Sequence, residues 1–181
     1  VNSGKLSVYD KYIKEYSKIP NWDWRLMASL IYQESKFDPS LESWAGAFGL
    51  MQLMPETAKN FGVSHNSSPA QQIRAGAQLL KYLDDYFRES VPDSIERIKF
   101  VLASYNVGHG HLNDARRLAE KYGKDPTRWE GQVDSFLFKK SIPAYYLDPV
   151  VRNGYCRGEE PFLYVREIFD RYEHYKNLLC N

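Results

Sequence analysis

Apolar side chains recur at the spacing of an α-helix throughout the chain, and this period limits the possible folds more than any other feature. In the first segment Leu6, Tyr9, Ile13 and Tyr16 lie three or four residues apart, which places them on one helical face. The alternating patterns typical of strands are scarce. Because 181 residues are enough to bury a core, we expect one all-α domain covering residues 1–181.

Proline, glycine and capping residues divide this pattern into successive helices. Pro20 ends the first helix, and Asn21 can cap a second one from Trp22 to about Phe37. Residues 38–54 contain a proline and two glycines, which predicts a loop with short helical pieces. Prolines predict the starts of two further helices, from Pro55 to about Phe61 and from Pro69 to about Phe87. A capping box of Asp93 and Glu96 predicts a helix that continues through Ser104. We expect two more helices, His111–Lys121, which Gly123 ends, and Glu159–Lys176. The aromatic-rich residues 126–157 have no clear period and either cover the domain or line a groove.

Charge and hydropathy exclude some classes of function. The chain has 24 basic and 23 acidic residues, interspersed, with a formal net charge of +1, so we expect no nucleic-acid partner. It has no run of 18 apolar residues that could span a membrane, and its first residues do not have the pattern of a signal peptide. We therefore expect a mature form or fragment, or a cytosolic protein. The two cysteines, Cys156 and Cys180, are too few for a disulfide scaffold, and the sequence leaves their pairing open.

One carboxylate does not fit an ordinary helix surface. Glu34 follows Met27 by seven residues, Leu30 by four and Ile31 by three, so it lies on the apolar stripe of the second helix. An apolar environment raises the pKa of a carboxyl group, and a protonated carboxyl is what glycoside cleavage requires. The same spacing also suits a carboxylate that is satisfied by a neighbouring helix or by water.

The residues around Glu34 resemble those of a known family. In order along the chain come Glu34-Ser35, Gly49-Leu50-Met51-Gln52 and Tyr105-Asn106-Val107-Gly108, with Ile73–Ala77 between the second and third motifs. This ordered set resembles the lytic murein transglycosylases of glycoside hydrolase family 23. Stretches similar to one membrane-bound group of that family follow at Asn113–Arg116, Pro143–Tyr146, Gly154–Gly158 and Tyr164-Val165.

The resemblance implies a goose-type lysozyme-like helical domain with a substrate groove, acting on peptidoglycan glycan strands without a cofactor. Members of that group carry an N-terminal domain similar to periplasmic solute-binding proteins, so we expect this chain to be an excised catalytic module. It further implies a periplasmic, outer-membrane-associated full-length protein, and we expect a monomer.

The resemblance also implies the roles of individual residues. Glu34 is the catalytic acid and then base, and the sugar leaves as a 1,6-anhydromuramic acid end. Substrate binding is implied for seven further residues, namely Ser35, Gly49, Met51, Gln52, Tyr105, Asn106 and Tyr164. Simpler roles stay open for them, because Met51 and Tyr164 also suit a core, and Tyr105 and Asn106 also suit a helix end.

Three other functions compete with this one. A carboxylate opposite Glu34, supplied by Asp38, Glu42 or Glu56, would favour a hydrolytic muramidase. A peptidoglycan-binding module with an inactive site is the second alternative. The third is a metal site, but His109 and His111 lie two residues apart in a glycine-rich loop without a zinc-binding helix pattern, so we expect no metal.

Overall fold

The structure is a computed structural model that describes residues 4–179, and these residues form nine α-helices. Their bounds are α1 Asp10–Tyr16, α2 Trp24–Ser35, α3 Pro55–Asn60, α4 Pro69–Phe87, α5 Ser94–Val107, α6 His109–Lys121, α7 Asp134–Lys139, α8 Pro143–Tyr146 and α9 Glu159–Leu178. The β-structure of the described residues is limited to two isolated bridges, Glu42 to Phe48 and Phe48 to Leu53. The prediction of an all-α fold is confirmed.

Backbone contacts divide the chain into two compact units. The first unit contains the described residues of Val1–Lys81 and Glu167–Asn181, and the second is Tyr82–Arg166. Helices α4 and α9 contribute residues to both. Each unit buries large apolar side chains completely: Ile13, Met27, Leu30, Ile31, Leu50 and Ile73 in the first, and Phe87, Phe100, Leu102, Leu112, Leu118 and Leu137 in the second.

The start of α2 differs from the prediction because the N-cap is Asp23, two residues after Asn21. The Asp23 side chain accepts a hydrogen bond from the backbone N–H of Arg25 at 2.9 Å, whereas Asn21 lies before the helix with φ +58°. Asp23 also pairs with the Arg25 guanidinium at 2.7 Å and accepts from the Tyr172 hydroxyl at 3.0 Å. The hydrogen bonds from Arg25 hold the pKa of Asp23 below its usual value. The prediction of Asn21 as the cap is therefore wrong.

The start of α5 confirms half of the predicted capping box. Asp93 accepts from the backbone N–H groups of Ile95 and Glu96, both at 3.0 Å. The Glu96 carboxylate does not reach back to Asp93, because it accepts from the Trp129 backbone N–H at 2.7 Å and from Lys99 at 3.2 Å. The helix also continues beyond Ser104 to Val107, where Gly108 at φ +88° separates it from α6.

Of the two long irregular segments, the first differs from the prediction, and the second contains short helices for which the sequence predicts no bounds. Residues 38–54 contain turns and the isolated bridges, so the helical pieces expected there are wrong. Residues 126–157 include a π-type turn over Trp129–Val133, kinked at Gly131 with φ +68°, before α7 and α8.

Cys156 is buried, burial raises the pKa of its thiol, and it is free among the described residues. The predicted alternative of pairing with Cys180 lies outside those residues.

Candidate active site

Helix α2, which carries Glu34, is held within the first unit by the C-terminal part of α9. The Ser29 hydroxyl donates to the Ile168 carbonyl at 2.7 Å, although the two residues are far apart in sequence. Arg171 donates to the Ser29 carbonyl and to the Gln33 side chain, each at 3.0 Å. These bonds fix the rotation of α2 about its axis, and therefore the direction in which its last turn presents Glu34.

Glu34 lies in the last turn of α2 and is half-buried. The residues on its own stripe, Met27, Leu30 and Ile31, are completely excluded from solvent. Glu34 therefore lies at the end of a helix face whose other side chains are apolar and closed to solvent.

The chain turns sharply directly after this carboxylate. Lys36 and Phe37 both adopt the left-handed region, with φ +52° and +64°, although neither is a glycine. Left-handed backbone costs an L-residue roughly 1–2 kcal/mol, and such strain is typical of functional sites. The turn ends α2 at Ser35, two residues before the predicted end at Phe37.

Ser35 connects the end of α2 to the second motif. Its hydroxyl lies 2.8 Å from the Leu50 carbonyl oxygen and 3.1 Å from that of Ile31, so the single proton is donated to one of the two. Ser35 is 3% exposed. These contacts favour a positioning role, in which Ser35 holds the loop of the second motif beside the helix that carries Glu34.

Gln72 of α4 supports the second motif from its other side. Its buried side chain accepts from the Leu50 backbone N–H at 2.8 Å and donates to the carbonyls of Ser67 at 3.2 Å and Pro39 at 3.4 Å. A Cβ atom on Gly49 would overlap this amide. The sequence analysis missed Gln72, and the available signal was a polar side chain next to Ile73 at the start of an apolar helix face.

Met51 packs in the interior of the first unit. It is 1% exposed, and a Cβ atom on Gly76 would overlap its side chain, including its Cβ. The absence of a side chain at Gly76 thus allows the motif loop to approach α4 closely. This explains why a glycine lies within the Ile73–Ala77 stretch.

Gln52 is the partly exposed member of the second motif. Its Nε2 donates to the carbonyls of Gly49 at 2.8 Å and Leu41 at 3.0 Å, and its backbone is left-handed with φ +47°. The described residues include no partner for Oε1. The amide is therefore held firmly by one end and can accept a hydrogen bond at the other.

The packing around Gly49 leads to a first prediction. We expect Gly49→Ala to destabilise the protein by about 1–3 kcal/mol, because Ala is strained at φ +78° and its methyl group overlaps Gln72. Gly46→Ala is the matched control, since Gly46 has φ +94° but open space around it. Urea unfolding of both variants measures the difference. If both variants lowered the unfolding free energy equally, the overlap with Gln72 would contribute nothing to the destabilisation by Gly49→Ala.

In the second unit, Tyr105 and Asn106 occupy the last turn of α5 and are both half-buried. The Oδ1 atom of Asn106 is a buried acceptor for which the described residues supply no donor. A buried acceptor without a partner is uncommon and requires an explanation, such as a ligand donor. Tyr164 lies in α9, as the sequence predicts, and is 5% exposed.

The second unit also contains a buried ionic network that the sequence analysis missed. The Asp114 carboxylate accepts from Lys140 Nζ at 2.6 Å and from Arg117. The backbone N–H groups of Arg152 and Asn153 donate to it at 2.8 and 2.9 Å. Burial alone would raise the pKa of Asp114, but these donors lower it to about 2. Asp114 is therefore an ionised structural group that fastens residues 152–153 to α6.

The histidines that suggested a metal site are engaged in other contacts. His111 Nδ1 lies 2.8 Å from Lys140 Nζ, and burial followed by the charge of Lys140 lowers the pKa of His111. His109 contacts the ring of Tyr86, with 4.8 Å between ring centroids. Residues 4–179 contain no cluster of three or more histidine, cysteine or acidic side chains that could hold a metal ion.

Comparison with known proteins gives consistent results. The profile of the Transglycosylase SLT domain family matches residues 11–127. The chain is 41% identical to membrane-bound lytic murein transglycosylase F of Pseudomonas fluorescens, covering 93% of this chain and 34% of that protein. It is 45% identical to the protein of the same name from Maricaulis maris, covering 81% of this chain and 31% of that protein. The chain thus spans about a third of the length of these relatives.

Solved structures support the same fold. The inactive mutant of lytic transglycosylase Slt from Pseudomonas aeruginosa matches with a TM-score of 0.61 and 20% identity, over 94% of this chain and 24% of that chain. The 70 kDa soluble lytic transglycosylase of Escherichia coli matches with a TM-score of 0.59 and 21% identity, over 96% and 25%. The predicted lysozyme-like helical class is confirmed.

The described helices are all too short or too polar to cross a membrane.

The family profile covers more than half of the chain and includes Glu34 and the second and third motifs. The chain therefore belongs to the Transglycosylase SLT domain family.

Proposed function

We propose that this chain cleaves the β-1,4 bond between N-acetylmuramic acid and N-acetylglucosamine in peptidoglycan and forms 1,6-anhydromuramic acid ends. The observation that carries the proposal is the placement of Glu34, half-buried on the last turn of a helix whose apolar face is otherwise closed to solvent. Family membership and the names of the relatives support the same substrate.

In the proposed reaction one carboxyl group acts twice. Glu34 first gives its proton to the glycosidic oxygen, and the bond from this oxygen to C1 of N-acetylmuramic acid breaks. The carbonyl oxygen of the substrate's own N-acetyl group stabilises the cationic C1. The ionised Glu34 then takes the proton of the C6 hydroxyl, whose oxygen forms the new bond to C1, so no water is consumed.

The other predicted residues would bind or position the sugar. Gln52 has a free acceptor on a firmly held amide, and Asn106 has a buried acceptor, so both suit sugar hydroxyl or N-acetyl N–H groups. Gly49, Met51 and Ser35 would shape and hold the loop that carries Gln52. For Tyr105 and Tyr164 we propose hydroxyl contacts to the substrate.

The alternative of hydrolysis needs a second carboxylate, and the three candidates have exposed positions. Asp38 accepts from the hydroxyl and backbone N–H of Ser40, which lower its pKa. The Glu42 side chain is largely exposed near His65, and Glu56 is exposed in the first turn of α3. None of these surroundings favours a carboxylate poised to activate water, so we favour the intramolecular attack.

We further propose that this chain is the catalytic part of a longer, membrane-associated periplasmic protein that acts on glycan strands as a monomer. The support is that the chain spans about a third of relatives whose name includes "membrane-bound".

Incubation with purified sacculi tests the proposed function. We expect soluble muropeptides to appear, and the suspension to clear, with the wild-type chain. Binding to sacculi without release of fragments would contradict catalysis and favour the inactive binding module. A chain that neither binds nor releases fragments would contradict peptidoglycan as the substrate.

A further inference from the structure

A tryptophan on the loop of the second motif is completely exposed. Trp44 has 101% of its reference surface open to solvent. The other three tryptophans are packed: Trp22 and Trp129 are buried, and Trp24 lies under the Lys14 ammonium group at 4.6 Å. A large aromatic ring left in water gives no folding stability, so its position suggests a role in binding.

The turn that carries Trp44 is well ordered by its own hydrogen bonds. The Ser43 backbone N–H donates to the Ala47 carbonyl at 2.8 Å, and the Gly46 N–H donates to the Ser43 carbonyl at 3.0 Å. The Ala47 N–H donates to the Ser43 hydroxyl at 3.0 Å. Gly46 supplies the positive φ that closes the turn. The ring is therefore presented from a fixed backbone, which reduces the entropy lost when a ligand binds.

This turn belongs to the same small framework as the residues proposed to bind sugar. The bridges from Glu42 to Phe48 and from Phe48 to Leu53 join the two sides of the loop. The Gly49 N–H donates to the Leu41 carbonyl at 2.8 Å, and Gln52 donates to the same carbonyl. Trp44 is thus rigidly linked to Gln52 and, through the bond from Ser35 to Leu50, to the end of α2.

The composition of the loop indicates which ligand the ring would contact. Residues 38–54 contain Asp38 and Glu42 but no lysine or arginine. A membrane-surface anchor normally combines aromatic rings with basic side chains that attract anionic lipids. An uncharged ligand with an apolar face, such as the C–H face of a pyranose ring, fits this loop better.

We propose that Trp44 is a sugar-stacking residue that binds the peptidoglycan glycan strand beside the catalytic motif. The inference rests on the proposed function and deepens it by adding a subsite outside the residues of the family motifs. Its contribution is to strand affinity, because Trp44 takes no part in the proton transfers of Glu34.

The test uses the Glu34→Gln chain, which holds the strand without cutting it, and peptide-free glycan strands prepared from sacculi with an amidase. We expect saturating glycan to shift the tryptophan emission to the blue and to protect it from acrylamide quenching. Both effects should vanish in the Glu34→Gln/Trp44→Phe double variant. In the active chain, Trp44→Ala should raise KM for soluble strands about tenfold and leave kcat within about twofold.

Tyr82→Ala serves as the control, since Tyr82 is another exposed aromatic residue, on α4. It should leave KM unchanged. Unaltered quenching with glycan, together with an unaltered KM for Trp44→Ala, would overturn the proposal. Protection by vesicles of phosphatidylethanolamine and phosphatidylglycerol, with none by glycan, would overturn it in favour of a membrane contact. Because the fluorescence test measures binding, it is independent of whether the wild-type chain cleaves sacculi.

Discussion

Glu34→Gln should lower the rate at which soluble muropeptides are released by about 10²–10⁴-fold, while the chain still binds sacculi. Glutamine has the shape of glutamate and can make hydrogen bonds, but it has no carboxyl proton to give and no carboxylate to accept one. Because the hydrogen bonds of Ser29 and Arg171 that join α2 to α9 are kept in this variant, we expect the unfolding free energy to change by less than about 1 kcal/mol.

Glu15→Gln is the matched control for this experiment. Glu15 is an exposed glutamate of α1, and its amide variant should release muropeptides at the wild-type rate. Fragment release is measured by chromatography of the soluble fraction, and binding by sedimentation with sacculi. Substantial turnover by Glu34→Gln would remove Glu34 from the catalytic role and, with it, the proposed mechanism.

The second large effect concerns stability. Asp114→Asn should destabilise the chain by about 3–5 kcal/mol, because it leaves the fully buried ammonium group of Lys140 without its counter-charge. Both carboxylate oxygens accept two hydrogen bonds each, so an amide NH₂ must face donors whichever way it is oriented. Asp125→Asn is the control, since Asp125 is exposed and bonded locally to Thr127, and it should change the unfolding free energy by less than about 1 kcal/mol.

The same carboxylate predicts a pH dependence of stability. The pKa of Asp114 is about 2 in the folded chain, against 3.8 for the free side chain. A lowered folded-state pKa contributes stability that is complete above about pH 4 and is lost as the pH falls towards 2. In urea unfolding at several pH values, the difference between wild type and Asp114→Asn should therefore shrink across that window. If the difference in unfolding free energy between the two chains stayed constant from about pH 4 to about pH 2, Asp114 could not be ionised with a lowered pKa in the folded chain.

Glu34 and Asp114 show how far a sequence pattern can identify a catalytic carboxylate. Glu34 follows Leu30 by four residues on an apolar stripe, and Asp114 precedes Leu118 by four residues, which also places it one turn from a buried leucine. The structure gives Asp114 four donors and a lowered pKa, as expected of a structural ion pair. Helical periodicity therefore indicates that a carboxylate is buried, but it does not show which donors surround that carboxylate, because three of the four donors to Asp114 lie 26 or more residues away in the sequence.

The helices were predictable because their signals are local. The Pro55 and Pro69 starts, and Gly123 as the stop of α6, depend on residues within one turn of each helix end, and the structure agrees with them. The sequence does not predict the cap at Asp23, because part of what holds its carboxylate in place comes from far along the chain. The carboxylate pairs with Arg25 and accepts a hydrogen bond from the distant Tyr172 hydroxyl.

The loop that carries the second motif was the least predictable part of the first unit. Its shape depends on Gln72, which bonds Leu50 from another helix, and on Ser35, which bonds Leu50 from α2. Hydrogen bonds between segments so far apart leave no periodic trace in the sequence. Gly76 belongs to the Ile73–Ala77 stretch of the sequence, but the reason for a glycine there, the close approach of Met51, is visible only in the packing.

The most direct test of a single carboxyl group acting without water is digestion of sacculi in water enriched in heavy oxygen, with a hydrolytic muramidase digested in parallel. The account predicts soluble fragments with 1,6-anhydromuramic acid ends, resistant to borohydride reduction and free of the label, whereas the muramidase fragments carry it. Heavy oxygen on C1 of muramic acid in the products of this chain would contradict the account and identify a hydrolase.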